Sequence, residues 1–485
     1  MIRRIFLAGL LASSSPAEEP LPNVVLIVAD DLGYGDVGCF GATKCQTPNL
    51  DKMAAEGRRL TSFYVAQAVC SASRAALMTG CYSNRVGMAG ALNHTSPEGL
   101  HADEWLLPEM LKARGYATGA FGKWHLGTRP QFHPMRNGFD EFMGLPYSND
   151  NSKYHPSLAP VMPPLPFYDG ETVSETDPDQ SQFTRRITER SVSFIEKHKD
   201  RPFFLYVPHV MPHVPIFASE KFIGRTGKGL YADVVAELDA SVGEILEALK
   251  THGLDDRTLV IFFSDNGPFL SYGTHAGSAG KLREGKLTSF DGGVRVPCIV
   301  RWPGRVPSAS RNDEPVMATD LLPSLAELVS GKRPERKIDG CSILPVLLGE
   351  KGAKSPHEAL FFYAGEELQA VRMGRWKLHF AHPYLTVLNE TRSDGKPAGY
   401  GTLKPKAITQ SGIEGIASRH GYGVGQLEES LFDLETDPGE TQNVADQHPD
   451  EVMKMKALAE VIRRELGDAL TKTRGSEVRP AGRAD

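Results

Sequence analysis

The sequence predicts an α/β fold: a large, mostly parallel sheet flanked by helices, followed by a smaller C-terminal part of different texture. Three observations predict it. Apolar strand-like runs alternate with amphipathic helical stretches, the pattern of buried parallel strands joined by crossover helices. "NVVLIVADD" opens the series, and "YADVVAELDASVGEILEALKTHG" followed by "TLVIFFSDNG" repeats it near the middle. Several of the strand-like runs end in polar residues, at the edge where open α/β sheets bind their ligands.

Residues 1–20, "MIRRIFLAGLLASSSPAEEP", carry two arginines, a short apolar run and small residues ending at Ala17. This reads as a secretory signal peptide, so the chain is expected to be exported to a periplasm or secreted. No later run approaches the length of a membrane span, and the mature chain is expected to be soluble. The six cysteines, Cys39, Cys45, Cys70, Cys81, Cys298 and Cys341, show neither metal-type spacing nor a compact disulfide framework. Pairing of Cys39 with Cys45 stays open.

A chain of 485 residues can hold about two domains, and 40% hydrophobic with 24% charged residues is ordinary globular composition. The net charge of −6 argues against nucleic acid as the main partner, because such binding leaves a basic footprint. A small anionic substrate is compatible with it, since a basic pocket can sit inside an acidic protein.

The strand ends carry the chemistry. "VVLIVA" stops at Asp30 and Asp31, "YATGAFG" leads to Lys123 and His125, "PFFLYV" leads to His209 and His213, and "TLVIFF" leads to Asp265 and Asn266. A single Asp after a strand is usually a turn or cap. Here the same explanation would be needed twice at equivalent places, whereas a hard cation wants several oxygen ligands of this type. In "GKWHLG" an extended backbone puts Lys123 and His125 on one side. The prolines of "PHVMPHVP" favour a rigid loop over a helix. In the helix near the middle, Val235, Leu238, Val242, Ile245 and Leu249 mark one buried face, which is scaffold.

"AVCSASRAALMTG" places Cys70 at the expected start of a helix, with Arg74 on the same face. First-turn N–H groups there can bind an anion and would depress a thiol pKa. A buried structural thiol is the competing reading.

"CSASRAALMTG" resembles the type I sulfatase signature, C-x-(P or A)-x-R followed by T-G, whose cysteine is converted to formylglycine. "VADDLGYGDVGCFG", "TPNLDKMAAEG", "GKWHLG", "GLPYSND", "SDNGP", "EGKLTSFDGGVRVP" and "LFDLETDPGE" resemble family blocks in the family's order, from about Asn23 to Asn443. The resemblance is nearest to the subgroup of arylsulfatase A and galactosamine-6-sulfatase. It implies an alkaline-phosphatase-like fold and a Ca²⁺ ion held by Asp30, Asp31, Asp265, Asn266 and modified Cys70. It implies that Arg74 and Lys123 hold formylglycine and sulfate oxygens, with His125, Ser148, His213 and Lys286 completing the pocket; His209 is the less favoured of its two histidines. Asp265 would help activate the nucleophile, His213 or Lys286 would protonate the leaving alcohol, and His125 would take the proton of the second hydroxyl. A formylglycine-generating enzyme is the implied maturation partner, and a sulfate ester of a saccharide or aryl alcohol the implied substrate. Ala72 stands where many relatives have proline.

The expected organisation is a catalytic α/β domain over residues 23–345, a C-terminal subdomain over 346–470 and a disordered tail over 471–485. By resemblance the subdomain contains an antiparallel sheet and a closing helix near Pro449 to Leu466. The Pro-rich segment from Ser152 to Gln182 reads as a long irregular loop at the rim. With "AGALNHTSPEGL" and the region around His379 and His382, it is the expected seat of specificity. Alternatives are a phosphoester or phosphonate hydrolase of the same superfamily and an inactive sulfoglycan-binding relative.

Overall fold

The computed structural model describes residues 20–484. The expected signal segment therefore lies, apart from Pro20, outside the described residues. At the centre is a ten-stranded sheet. Its strands, in chain order, are β1 (Asn23–Ala29), β2 (Arg58–Leu60), β3 (Ala117–Lys123), β4 (Glu141–Leu145), β5 (Pro166–Asp169), β6 (Thr172–Thr176), β7 (Phe203–Pro208), β8 (Thr258–Ser264), β9 (Cys298–Arg301) and β10 (Ser310–Asn312). They lie in the order β10-β2-β9-β8-β1-β7-β3-β4-β5-β6. The central run β8-β1-β7-β3-β4 is parallel throughout. Antiparallel pairs extend the sheet on each side.

Strand β1 shows why the sequence builds this sheet. All seven of its residues are buried, and alternate side chains enter two different cores: Val24, Leu26 and Val28 one, Val25, Ile27 and Ala29 the other. Helices Phe183–Lys197 and Leu230–Thr251 cover the second face, and the predicted stripe Val235, Leu238, Val242, Ile245 and Leu249 is fully buried there. The helix Cys70–Thr79 packs in the first.

Beyond the large sheet, Leu360–Ala364, Glu367–Met373, Trp376–His379 and Ser430–Asp433 form an antiparallel four-stranded sheet. Met455, Ala459, Ile462 and Leu466 of the Pro449–Leu466 helix share its core. Among the described residues, no helix is long and apolar enough to cross a membrane.

Three expectations are corrected. The stretch 152–182 contains the hairpin β5–β6, which widens the main sheet. Pro166 is tolerated because it opens its strand. The segment 471–484 is ordered: Gly482–Arg483 pairs with Glu98–Gly99, and Arg479 grips Glu104 at 2.7 and 2.8 Å. His379 and His382 are buried, His379 beside Glu440 at 3.0 Å and His382 at 3.1 Å from His379, so they present no surface to a substrate. All six cysteines, Cys39 and Cys45 included, are free thiols.

Candidate active site

Five parallel strands bring their carboxyl ends to one edge. β1 delivers Asp30 and Asp31, β3 Lys123 and His125, β7 His213, and β8 Asp265 and Asn266. β4, which the sequence pattern did not reveal as a strand, delivers Ser148. Close approach of these strands depends on glycine. Gly122 has φ +133°, and a Cβ there would lie 1.9 Å from the Pro208 carbonyl oxygen. Asp31 and His125 both adopt left-handed backbone, φ 65° and 61°, which turns each side chain sharply off its strand.

The helix begins at Cys70, as its sequence predicts, and one turn later sends Arg74 into the acidic edge. Arg74 donates to Asp265 Oδ2 through Nε at 2.9 Å and Nη2 at 2.8 Å, to Asp30 Oδ2 at 3.2 Å and to the Lys123 carbonyl at 2.6 Å. Lys123 Nζ, itself fully buried, binds Asp30 and lies 3.3 Å from Ser148 Oγ. Lys286 Nζ lies 2.6 Å from Asp31 Oδ1, 3.4 Å from Cys70 Sγ and 4.7 Å from the centre of the Phe269 ring. Ser148 Oγ lies 3.4 Å from His213 Nε2.

Protonation follows from these contacts. Burial outweighs the nearby lysines and pushes the Cys70 thiol up to about 11, against the depressed pKa expected at a helix start. Burial, then Lys286 and Lys123, brings His213 down to about 3. Its Nδ1 lies 2.5 Å from the Val214 carbonyl, which can only accept, so Nδ1 carries the hydrogen and Nε2 faces the site. Burial and Lys123 hold His125 well below the usual imidazole range. His209 points elsewhere, with Nε2 3.2 Å from Ser241 Oγ.

At this edge the buried oxygens Asp30 Oδ1, Asp31 Oδ2 and Asn266 Oδ1 lack any donor. Ligand atoms of Asp30, Asp31, Cys70 and His213 all lie within 4.8 Å of one another. Unpaired buried carboxylate and amide oxygens are costly in an apolar interior and form a fitting bed for a hard cation. Asp265, the fifth expected ligand, stands beside them with Oδ1 3.3 Å from the Asp31 N–H and Oδ2 held by Arg74. The edge thus gathers Asp30, Asp31, Cys70, Arg74, Lys123, Ser148, His213, Asp265, Asn266 and Lys286.

Residues 22–331 match the Sulfatase family model, and residues 355–481 match the C-terminal region of aryl-sulfatase. The chain belongs to the sulfatase family. This sulfatase is 38% identical to arylsulfatase A of Bos taurus over 491 residues, which cover 96% of the chain and 91% of the relative. It is 39% identical to N-acetylgalactosamine-6-sulfatase of Canis lupus familiaris over 394 residues, 77% of the chain and 74% of the relative. Among solved structures it resembles Ps i-CgsB in complex with k-i-k-neocarrahexaose, with TM-score 0.71, 30% identity and coverage of 91% and 92% of the two chains. The phosphonate monoester hydrolase of Agrobacterium radiobacter shares the fold at TM-score 0.57 and 19% identity, covering 91% of this chain and 95% of that one. Sulfate ester hydrolysis is therefore the activity of the family to which the site belongs.

Sequence reasoning missed the Phe269 ring beneath Lys286 and the main chain of Leu92, whose carbonyl lies 2.8 Å from His125 Nε2. The first adjoins a quoted block. The second has no signal in the sequence, because the contact joins two loops 33 residues apart.

Proposed function

We propose that this sulfatase removes sulfate from a sulfated saccharide or aryl sulfate through formylglycine made from Cys70, with Ca²⁺ bound by Asp30, Asp31, Asp265, Asn266 and residue 70. One observation carries the reading: three donorless buried oxygens lie on an edge where three cations face three carboxylates around Cys70. Arg74, Lys123 and Lys286 are each paired with a carboxylate of Asp30, Asp31 or Asp265, which takes up much of their charge. A divalent ion held by Asp30, Asp31, Asp265, Asn266 and residue 70 would add positive charge to the pocket and would polarise an ester oxygen.

Formylglycine, hydrated to a geminal diol, supplies one hydroxyl to attack sulfur and keeps a second to release the sulfate. The remaining work falls to the side chains. Lys123, Ser148, His213 and Lys286 take the sulfate oxygens, and Arg74 holds the nucleophile in place. Asp265 helps to activate the attacking hydroxyl. Lys286, which carries its proton, protonates the departing alcohol, or His213 does so after Nε2 has first taken up a proton, and His125 takes the last proton.

The relatives named as sulfatases of arylsulfatase A and N-acetylgalactosamine-6-sulfatase type support an aryl or saccharide sulfate as substrate. Maturation by a formylglycine-generating enzyme and export by residues 1–20 complete the proposal. Peptide mass spectrometry of residue 70, together with rates on nitrophenyl sulfate, nitrophenyl phosphate and defined sulfated saccharides, tests it. Full activity with an unmodified Cys70, or preference for the phosphate, would overturn it.

A further inference from the structure

His125 Nε2 lies 2.8 Å from the carbonyl oxygen of Leu92. A carbonyl only accepts, so Nε2 carries the ring hydrogen and Nδ1 carries the lone pair. Nδ1 is buried and has no partner. The Leu92 N–H, on the other side of the same residue, donates to Ser71 Oγ at 3.0 Å. Ser71 follows Cys70 in the same helix and is fully buried. The stretch "AGALNHTS" is thus pinned to the helix that carries residue 70 and presents its carbonyl to His125. Asn151 holds the loop from outside, 3.2 Å from the His94 N–H and 2.9 Å from its Nδ1.

Resting on the formylglycine reading, we propose that Ser71 and the Leu92 main chain form a positioning relay that fixes His125 as the Nε2–H tautomer and keeps Nδ1 free as the base of the second step. In that step the proton of the remaining hydroxyl on residue 70 passes to Nδ1. The carbon–oxygen bond to sulfate breaks, its electron pair leaves with sulfate, and the C=O of the aldehyde re-forms. A neutral imidazole has only one ring hydrogen, so holding it on Nε2 assigns the base to a particular atom. Ser71 ties that assignment to the helix holding the nucleophile. The loop segment at Leu92 thereby acquires a role in turnover distinct from contact with the sugar.

The relay makes the two halves of turnover separable. Nitrophenolate leaves in the first half, which Ser71 does not serve, and the aldehyde re-forms in the second. In Ser71→Ala, matched to wild type for formylglycine content by mass spectrometry, kcat on nitrophenyl sulfate is expected to fall by about 10- to 100-fold, the usual cost of removing a group that orients an active-site histidine. A burst of nitrophenolate close to one equivalent of enzyme should precede the slow steady state. Ser71→Thr restores the hydroxyl and should recover most of the rate. His125→Ala should give the same burst with a larger loss of kcat, about 10²- to 10⁴-fold.

Nitrogen NMR of isotope-labelled histidine in protein with unmodified Cys70 reads the tautomer without activity, the His125 signal being assigned by its loss in His125→Gln. The Nε2–H form is expected in wild type, with Nδ1–H gaining population in Ser71→Ala. An Nδ1–H form in wild type overturns the relay, as does unchanged kcat or a burst-free loss in Ser71→Ala. An enzyme inactive on every sulfate ester would overturn the functional reading instead, leaving the tautomer spectrum to decide the relay.

Discussion

Arg74 grips Asp265 with two nitrogens on a single carboxylate oxygen, Nε at 2.9 Å and Nη2 at 2.8 Å, in a setting where both side chains are all but closed to solvent. Lysine has the charge of arginine but only one nitrogen to offer, and no planar fork. Arg74→Lys is therefore expected to lower the melting temperature and to cut turnover by more than about 100-fold, since breaking a buried pair costs roughly 3–5 kcal/mol. Thermal unfolding and rates on nitrophenyl sulfate, both corrected for formylglycine content, check it. A variant matching wild type in stability would show that the fork is dispensable.

The donorless oxygens of Asp30, Asp31 and Asn266 predict a metal dependence. Chelation should lower both melting temperature and activity, and Ca²⁺ should restore them, because a ligand that binds only the folded state stabilises it. Asp30→Ala and Asp265→Ala should each carry less metal than wild type. Unchanged metal content in both would move the ion elsewhere.

Leaving-group protonation can be told apart from sulfate binding. A sugar alkoxide departs poorly without a proton, while nitrophenolate needs none. Loss of the acid should cost about 10²- to 10⁴-fold on a sulfated sugar and far less on nitrophenyl sulfate. The comparison made for His213→Ala and for Lys286→Ala identifies the donor. Equal losses on both substrates in both variants, with chemistry rate-limiting, would leave the two residues as sulfate binders.

Stability should also depend on pH through His357, whose Nε2 lies 2.8 Å from Asp320 Oδ1. Burial opposes its charged form, but the hydrogen bond and charge of Asp320 outweigh it and raise the pKa above 6.5. A raised folded-state pKa stabilises fully below the unfolded value, and the contribution fades as pH rises through the folded one. His357→Gln should therefore lower the melting temperature at about pH 6 more than at about pH 9, on either side of the histidine range. An equal drop at both pH values would refute the charged pair.

Much of the architecture could be read from the chain because strand β1 is apolar on both faces and halts abruptly at two carboxylates. Such a stop is local, and it names both the layer and the edge. The helix at Cys70 and the stripe from Val235 to Leu249 were likewise carried by short-range pattern. What escaped depends on distant partners. β6, "TVSET", is exposed along its whole length and alternates no apolar face, so nothing in its composition announced a strand. The polar end "EVRPAGRAD" resembles a free tail until Arg479 is seen to find Glu104 across the fold. His379 and His382 resembled surface ligands, yet Lys377, Asp291 and Glu440 close a buried polar cluster around them. No spacing rule announces a cluster assembled from three separate segments.

Cys70 is 2% exposed and its helix is buried from end to end. If residue 70 is converted to formylglycine as proposed, a protein catalyst that oxidises this side chain could not reach it in the finished fold, and maturation would be a race against folding. Parallel strands distant in sequence close slowly, which gives the newly made chain an interval in which the cysteine is still open. Molecules that folded before the conversion would then stay sealed as thiols. A preparation refolded from denaturant without the maturation enzyme would contain well-formed molecules that no later addition of that enzyme can rescue, while unfolding and slow refolding in its presence would.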